Sequence, residues 1–180
     1  MNVCVFCGSS SGENPIFKET AVELGGLLTS LQATLIYGGG NIGLMGVVAD
    51  EMLKGGSEVI GIIPDFLLKK EVGHTQVTRL EVVASMHERK RRMADLADCF
   101  LALPGGWGTL DELAEILTWK QLGLIKQPVG LLNVAFFFDP LISQMRHMVA
   151  SGFLRQANLD QLIVENSPKK LLTSMGVVAV

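Results

Sequence analysis

The stretch Ser85–Glu112, SMHERKRRMADLADCFLALPGGWGTLDE, decides how the rest of the chain is read. Ser85-x-x-Glu88 has the form of a capping box, in which serine and glutamate side chains satisfy the backbone N–H groups left over at a helix start. The helix it opens carries Arg89-Lys90-Arg91-Arg92, and Met86, Met93 and Leu96/Ala97 form an apolar stripe along it. Positions 89 and 90 fall between the members of that stripe, so Arg89 or Lys90 points toward packed material while Arg91 and Arg92 turn outward. A cation facing inward needs an anionic partner, which a bound phosphate or Glu112 would supply. Cys99–Leu103 is an apolar run too short for a helix and reads as a buried strand, closed by Pro104-Gly105-Gly106. Thr109 then reads as the cap of a second helix with Asp111, Glu112 and Glu115 in its early turns.

Working outward, the same alternation recurs. Asn2–Phe6, Ala33–Tyr37, Glu58–Ile63, Arg79–Ala84, Pro128–Leu132 and Leu162–Val164 read as further strands. Helices are expected from Asn14-Pro15, from Leu44 to about Leu53, from Thr109 to about Leu122, from Asp139-Pro140 to about Ala150, and after Ser167-Pro168. The pattern weakens between Phe66 and Gln76, where a short helix and a loop are expected. Strands alternating with helices at this spacing predict an α/β fold, a Rossmann-like three-layer sandwich whose parallel sheet is flanked by helices. The 180 residues fit one domain, residues 1–180, with no repeat or linker.

Composition narrows the function. A formal charge of −3 argues against a general nucleic-acid binder. No apolar run approaches the length of a membrane span. Three cysteines imply no disulfide framework, and the opening MNVCVFCGSSSG lacks a signal-peptide pattern, so a cytoplasmic location is expected. An apolar content of 48% fits a buried parallel sheet, and also a second copy of the chain covering part of the surface.

Three glycine-rich loops follow predicted strands. Gly8 and Ser9 stand in a small-residue loop suited to close approach by a ligand. Gly38–Gly43 fits G-x-G-x-x-G, with Gly39, Gly40 and Gly43 available to an anion. A nicotinamide site would need an acidic residue about 20 positions further on, at the end of the next strand. Glu58 stands where that strand begins and Asp65 lies further along, so one phosphate is preferred over a dinucleotide, beside a purely structural tight turn. In the third loop Gly105, Gly106 and Gly108 let backbone N–H groups reach phosphate oxygens, and Thr109 adds a hydroxyl. Glu112 has two readings: partner of Thr109 in a second capping box, or a carboxylate placed to meet positive charge developing on a sugar. Cys4-x-x-Cys7 straddles a strand end rather than a helix start, which disfavours redox chemistry, and the histidines are too scattered for a zinc site. No metal is expected.

Pro104-Gly105-Gly106-Trp107-Gly108-Thr109-Leu110-Asp111-Glu112 matches P-G-G-x-G-T-x-x-E, and Met86-His87-Glu88-Arg89-Lys90 matches M-H-x-R-K. With CVFCGSSS at Cys4–Ser11, YGGGNIGLMG at Tyr37–Gly46 and VIGIIP at Val59–Pro64, the chain resembles the Lonely Guy family from Val3 to Ala150. That resemblance implies cofactor-free hydrolysis of the N-glycosidic bond of a purine nucleoside 5′-monophosphate, giving free base and ribose 5-phosphate. It implies Arg89 and Glu112 as the catalytic pair, with Glu71, Lys90, Gly106, Trp107, Gly108, Thr109, Leu110, Asp111 and Thr118 lining the nucleotide site. It also implies a homodimer with sites near the interface. Trp107 stands where tyrosine is frequent, and no residue pattern marks a prenyl pocket, so N6-prenylated adenine nucleotides and AMP both remain candidates. Some relatives carry the label lysine decarboxylase, yet no sequence feature supports a pyridoxal-phosphate site. Two other readings stand beside this one: a nucleotide-sensing module without catalysis, and a nicotinamide-dependent oxidoreductase resting on Gly38–Gly43.

Overall fold

The computed structural model describes residues 1–69 and 73–177. Among these residues seven strands form one sheet: β1 Asn2–Phe6, β2 Thr34–Tyr37, β3 Val59–Pro64, β4 Arg79–Val83, β5 Cys99–Ala102, β6 Val129–Leu132 and β7 Leu162–Glu165. Their order is β4-β3-β2-β1-β5-β6-β7, and every neighbouring pair is parallel. The chain thus winds outward from β1 to one edge, returns to β5 beside β1, and winds to the other edge. The crevice between the carboxyl ends of β1 and β5, where the winding reverses, is where such sheets bind ligands.

Among the described residues eight helices cover the sheet: α1 Pro15–Ser30, α2 Gly43–Lys54, α3 Asp65–Leu68, α4 Met86–Leu96, α5 Trp107–Gln121, α6 Asp139–Ala150, α7 Gln156–Leu159 and α8 Pro168–Ser174. Side chains alternate across a strand, so each strand feeds two cores. Val3, Val5, Leu35, Tyr37 and Leu101 pack under α1, α2 and α8. Cys4, Phe6, Ile36, Phe100 and Ala102 pack under α4, α5 and α6, with Phe6 stacked on Phe100. Both faces are covered, so β3, β5 and β6 are buried along their whole length, while the edge strands β4 and β7 are only partly so.

The helix starts follow local chemistry. Asn14 accepts a hydrogen bond from the Ile16 N–H at 3.1 Å, and Pro15 occupies the first helical position. Ser85 accepts from the Glu88 N–H at 3.1 Å, while the Glu88 carboxylate accepts from the Ala84 N–H at 2.8 Å, one residue before the cap. The expected cap at Thr109 is corrected: α5 begins at Trp107 with Gly106 at its cap position, and Thr109 is a buried residue of the first turn. A Thr109–Glu112 capping box therefore does not form. A 3₁₀ turn at Val134–Phe136 and the single-turn α7 carry too few residues to show a period in sequence. Among the described residues no helix is long and apolar enough to cross a membrane.

Gly43 opens α2 at φ +64°, and a Cβ there would collide with the backbone of Ser9 and Ser10. Gly43→Ala combines a left-handed conformation with that collision. It is expected to cost at least about 2 kcal/mol, read as a lowered denaturant midpoint.

Candidate active site

Arg89 lies on the inward stripe of α4, and its guanidinium reaches across to the carboxyl ends of two strands. Nε donates to the Ile62 carbonyl of β3 at 3.1 Å, and Nη2 donates to the Gly38 carbonyl just beyond β2 at 3.2 Å. A Cβ on Gly38 would occupy the space of the guanidinium, so this approach requires glycine. Nη2 also stands 3.7 Å from Oε1 of Glu112, and both side chains are buried. Burial drives the Glu112 carboxyl up from the ordinary 4.5 to about 7, with Arg89 pulling the other way. A carboxyl that titrates near neutrality can hold or release a proton at working pH.

The pair forms the floor of a hollow of about 160 Å³ lined by Cys7, Gly8, Ser9, Gly38, Met45 and the first turn of α5. That turn presents the free N–H groups of Trp107, Gly108 and Thr109, a favourable place for an anion. The Gly8 N–H donates to the Pro104 carbonyl at 3.1 Å, which brings the loops after β1 and β5 together at the winding reversal. A second hollow of about 270 Å³, lined by Ser10, Ser11, Phe17, Leu44, Gly105 and Phe137, adjoins the first through Gly8, Ser9 and Gly106.

Several anticipated residues therefore converge: Gly8, Ser9, Arg89, Gly106, Trp107, Gly108, Thr109 and Glu112 share one hollow, and Gly105 borders its neighbour. Trp107 stands at the mouth with 88% of its surface exposed. Lys90 is turned to Asp111 at 3.0 Å and Glu115 at 3.3 Å, tying α4 to α5. Burial lowers its affinity for the proton, yet the bonds to Asp111 and Glu115 outweigh this and hold the ammonium above its ordinary value. Leu110 packs toward the core under α5. Gly39 abuts Ile63 and Leu80, Gly40 pairs with Gly73, and Gly43 abuts the Ser9 loop, so these three shape the turn rather than line the hollow. Thr118 donates to the Ala114 carbonyl and borders a separate apolar hollow between α5 and α6. Glu71 lies outside the described residues.

Gly38, Cys7 and Met45 line the hollow but were not among the site residues expected from sequence. Gly38 is the first residue past β2 and so the one at the sheet edge, a signal available once the strand end is fixed at Tyr37. Cys7 is buried beside Glu112; burial first and the carboxylate second push its thiol well up, which keeps it neutral and unfit as a nucleophile. No group of three or more His, Cys, Asp and Glu side chains spaced for a metal ion occurs among the described residues.

A family described as possible lysine decarboxylase matches residues 45–175. A cytokinin riboside 5′-monophosphate phosphoribohydrolase of Arabidopsis thaliana is 44% identical over 173 residues, covering 96% of this chain and 81% of that protein. Two probable enzymes of the same name from Oryza sativa subsp. japonica are 44% identical over 173 residues (96% and 71% covered) and 51% identical over 152 residues (84% and 67%). The chain belongs to the Lonely Guy family. Among solved structures, a molybdenum cofactor binding protein of Rippkaea orientalis aligns with a TM-score of 0.71 at 24% identity, covering 98% of this chain and 95% of that one. A molybdenum cofactor carrier protein of Chlamydomonas reinhardtii aligns at 0.70 and 20%, covering 98% and 96%. These two share the fold alone. The decarboxylase label finds no support in this Lonely Guy site: among the described residues no lysine lines the hollow, and Lys90 is held charged by two carboxylates where a Schiff-base lysine must be readily deprotonated.

The raised Glu112 carboxyl makes stability depend on pH. Between about 4.5 and about 7 the native state holds a proton that the unfolded chain has released. Its contribution is full below about 4.5 and is lost as pH rises through about 7, on the order of 3 kcal/mol in all. Glu112→Gln is expected to remove that fall, read by thermal unfolding midpoints of both proteins from pH 5 to 8.

Proposed function

We propose that the chain hydrolyses the N-glycosidic bond of purine nucleoside 5′-monophosphates, with N6-prenylated adenine or adenine as the base, and so releases an active cytokinin from its nucleotide. The observation that carries this reading is the buried Arg89–Glu112 pair beneath the N-terminus of α5. The phosphate binds the backbone N–H groups of Gly106–Thr109 and the glycine loops, which fixes the ribose over Glu112. As the C1′–N9 bond breaks, positive charge gathers on the sugar and the Glu112 carboxylate stabilises it. A water oxygen bonds to C1′ as the C1′–N9 bond breaks and gives one proton to Glu112; the departing base takes a proton from solvent, and Glu112 returns its own to solvent. Arg89 holds Glu112 partly ionised and stays in place because two carbonyls anchor it.

The active form is a homodimer in this proposal. The apolar hollow between α5 and α6, bordered by Leu117, Met145, Met148 and the 88% exposed Phe153, supplies the face for a second copy. Phe153→Asp is expected to halve the mass seen in sedimentation equilibrium; an unchanged mass would remove this face from the interface.

The reaction is tested by release of free base from AMP and from isopentenyladenosine 5′-monophosphate. Glu112→Gln is expected to lower kcat by about 10²- to 10⁴-fold with nucleotide still bound. Tight binding of both nucleotides by the unaltered protein, with no base released, would leave a nucleotide-binding module and sink the enzyme.

A further inference from the structure

His74 is a buried titratable side chain that the reaction as described does not use, with 5% of its surface exposed. Nδ1 accepts from the Gln76 N–H at 3.3 Å, which leaves the proton on Nε2, and Nε2 donates to Oδ1 of Asp50 on α2 at 3.0 Å. The backbone N–H of His74 donates to the Gly39 carbonyl at 2.9 Å, and the preceding Gly73 pairs with Gly40. The segment around His74 is therefore sewn onto the turn that follows β2 and, through Asp50, onto α2. The residue before Gly39 in that turn is Gly38, whose carbonyl holds Nη2 of Arg89.

We propose that His74, clasped by Asp50, is a positioning residue that fixes the Gly38–Gly40 turn and through it the guanidinium of Arg89 against Glu112. The chain of contacts is short and each link is directional. The carbonyls of Gly38 and Gly39 are consecutive, and one accepts from Arg89 while the other accepts from His74. If the turn rotates, both bonds are lost together, and Arg89 keeps only the Ile62 carbonyl as a strong anchor, its contact with the Met86 sulfur being 3.8 Å long. The histidine is suited to this task because both ring nitrogens are engaged, which locks the ring where a longer, freer side chain would wander. Asp50 is half-exposed, so its value lies in direction rather than in a strong ion pair. This inference rests on the reading of Arg89 and Glu112 as the working pair.

The test uses His74→Ala, His74→Gln and Asp50→Asn in the full chain, with two readouts. The first is the titration of the Glu112 carboxyl, followed by carbon NMR with Glu112→Gln as the assignment control. Arg89 favours the charged carboxylate, so His74→Ala should move the midpoint upward, while His74→Gln, which restores a donor to Asp50, should return it toward the original value. The second is base release: His74→Ala should lower kcat by about 10- to 100-fold and move KM by less than about threefold. In an Arg89→Lys background, where the forked anchor is already gone, the same substitution should add less than about twofold. Asp50→Asn keeps an acceptor for Nε2 and should resemble the unaltered protein in both readouts. An unshifted Glu112 midpoint in a folded His74→Ala protein would overturn the proposal, as would an equal loss of kcat with and without Arg89. Absence of base release by the unaltered protein would instead overturn the reaction, and the NMR midpoint would still decide the role of His74.

Discussion

A guanidinium taken out of water must find acceptors, and the arrangement of this site follows from where Arg89 finds them. Its two strongest bonds go to main-chain carbonyls at the carboxyl ends of β2 and β3, where a parallel sheet leaves carbonyls without strand partners. The cation is thereby anchored on main-chain atoms, one within β3 and one in the turn that follows β2. Glu112 stands 3.7 Å from the same Nη2 that bonds Gly38, too far for a tight salt bridge and close enough for Arg89 to oppose the effect of burial. The outcome is a carboxyl poised near 7, which neither burial nor a close ion pair alone would produce.

The fold supplies the remaining requirement, a cradle for an anionic group within reach of that carboxyl. Winding reversal between β1 and β5 places two loops side by side, and glycines let them touch through backbone atoms. α5 starts immediately after the second loop with no side-chain cap, so its first N–H groups remain available. The same helix carries Glu112 about a turn and a half further on, which couples the anion cradle and the carboxyl within one rigid element. Lys90 binds Asp111 and Glu115 on that helix and holds α4, with Arg89, in register with it.

Much of this was legible in sequence because it is periodic or punctuated. The alternation of apolar strands with helices gave the parallel sheet, and the spacing of Met86 and Met93 placed Arg89 or Lys90 inward, where both are found buried. What escaped depends on tertiary approach. Thr109 has the chemistry of a cap, but Gly106 already ends the turn and α5 starts before Thr109 can serve. Glu112, left between cap partner and site carboxylate, makes no capping bond and stands buried 3.7 Å from Arg89. Thr118 shares the helix with Glu112 but faces the α5–α6 hollow. Gly38 meets Arg89 through its backbone carbonyl, which leaves no mark on residue type.

The measurement that bears most directly on the account is the pH dependence of kcat/KM for base release from AMP. Glu112 must be ionised to stabilise the sugar cation and accept the proton of water, and burial sets its titration at about 7. The account predicts a rate that rises tenfold per pH unit on the acid side and levels off above a midpoint near 7. A rate that is flat from pH 5 to 8, or one that falls as pH rises through 7, would contradict it.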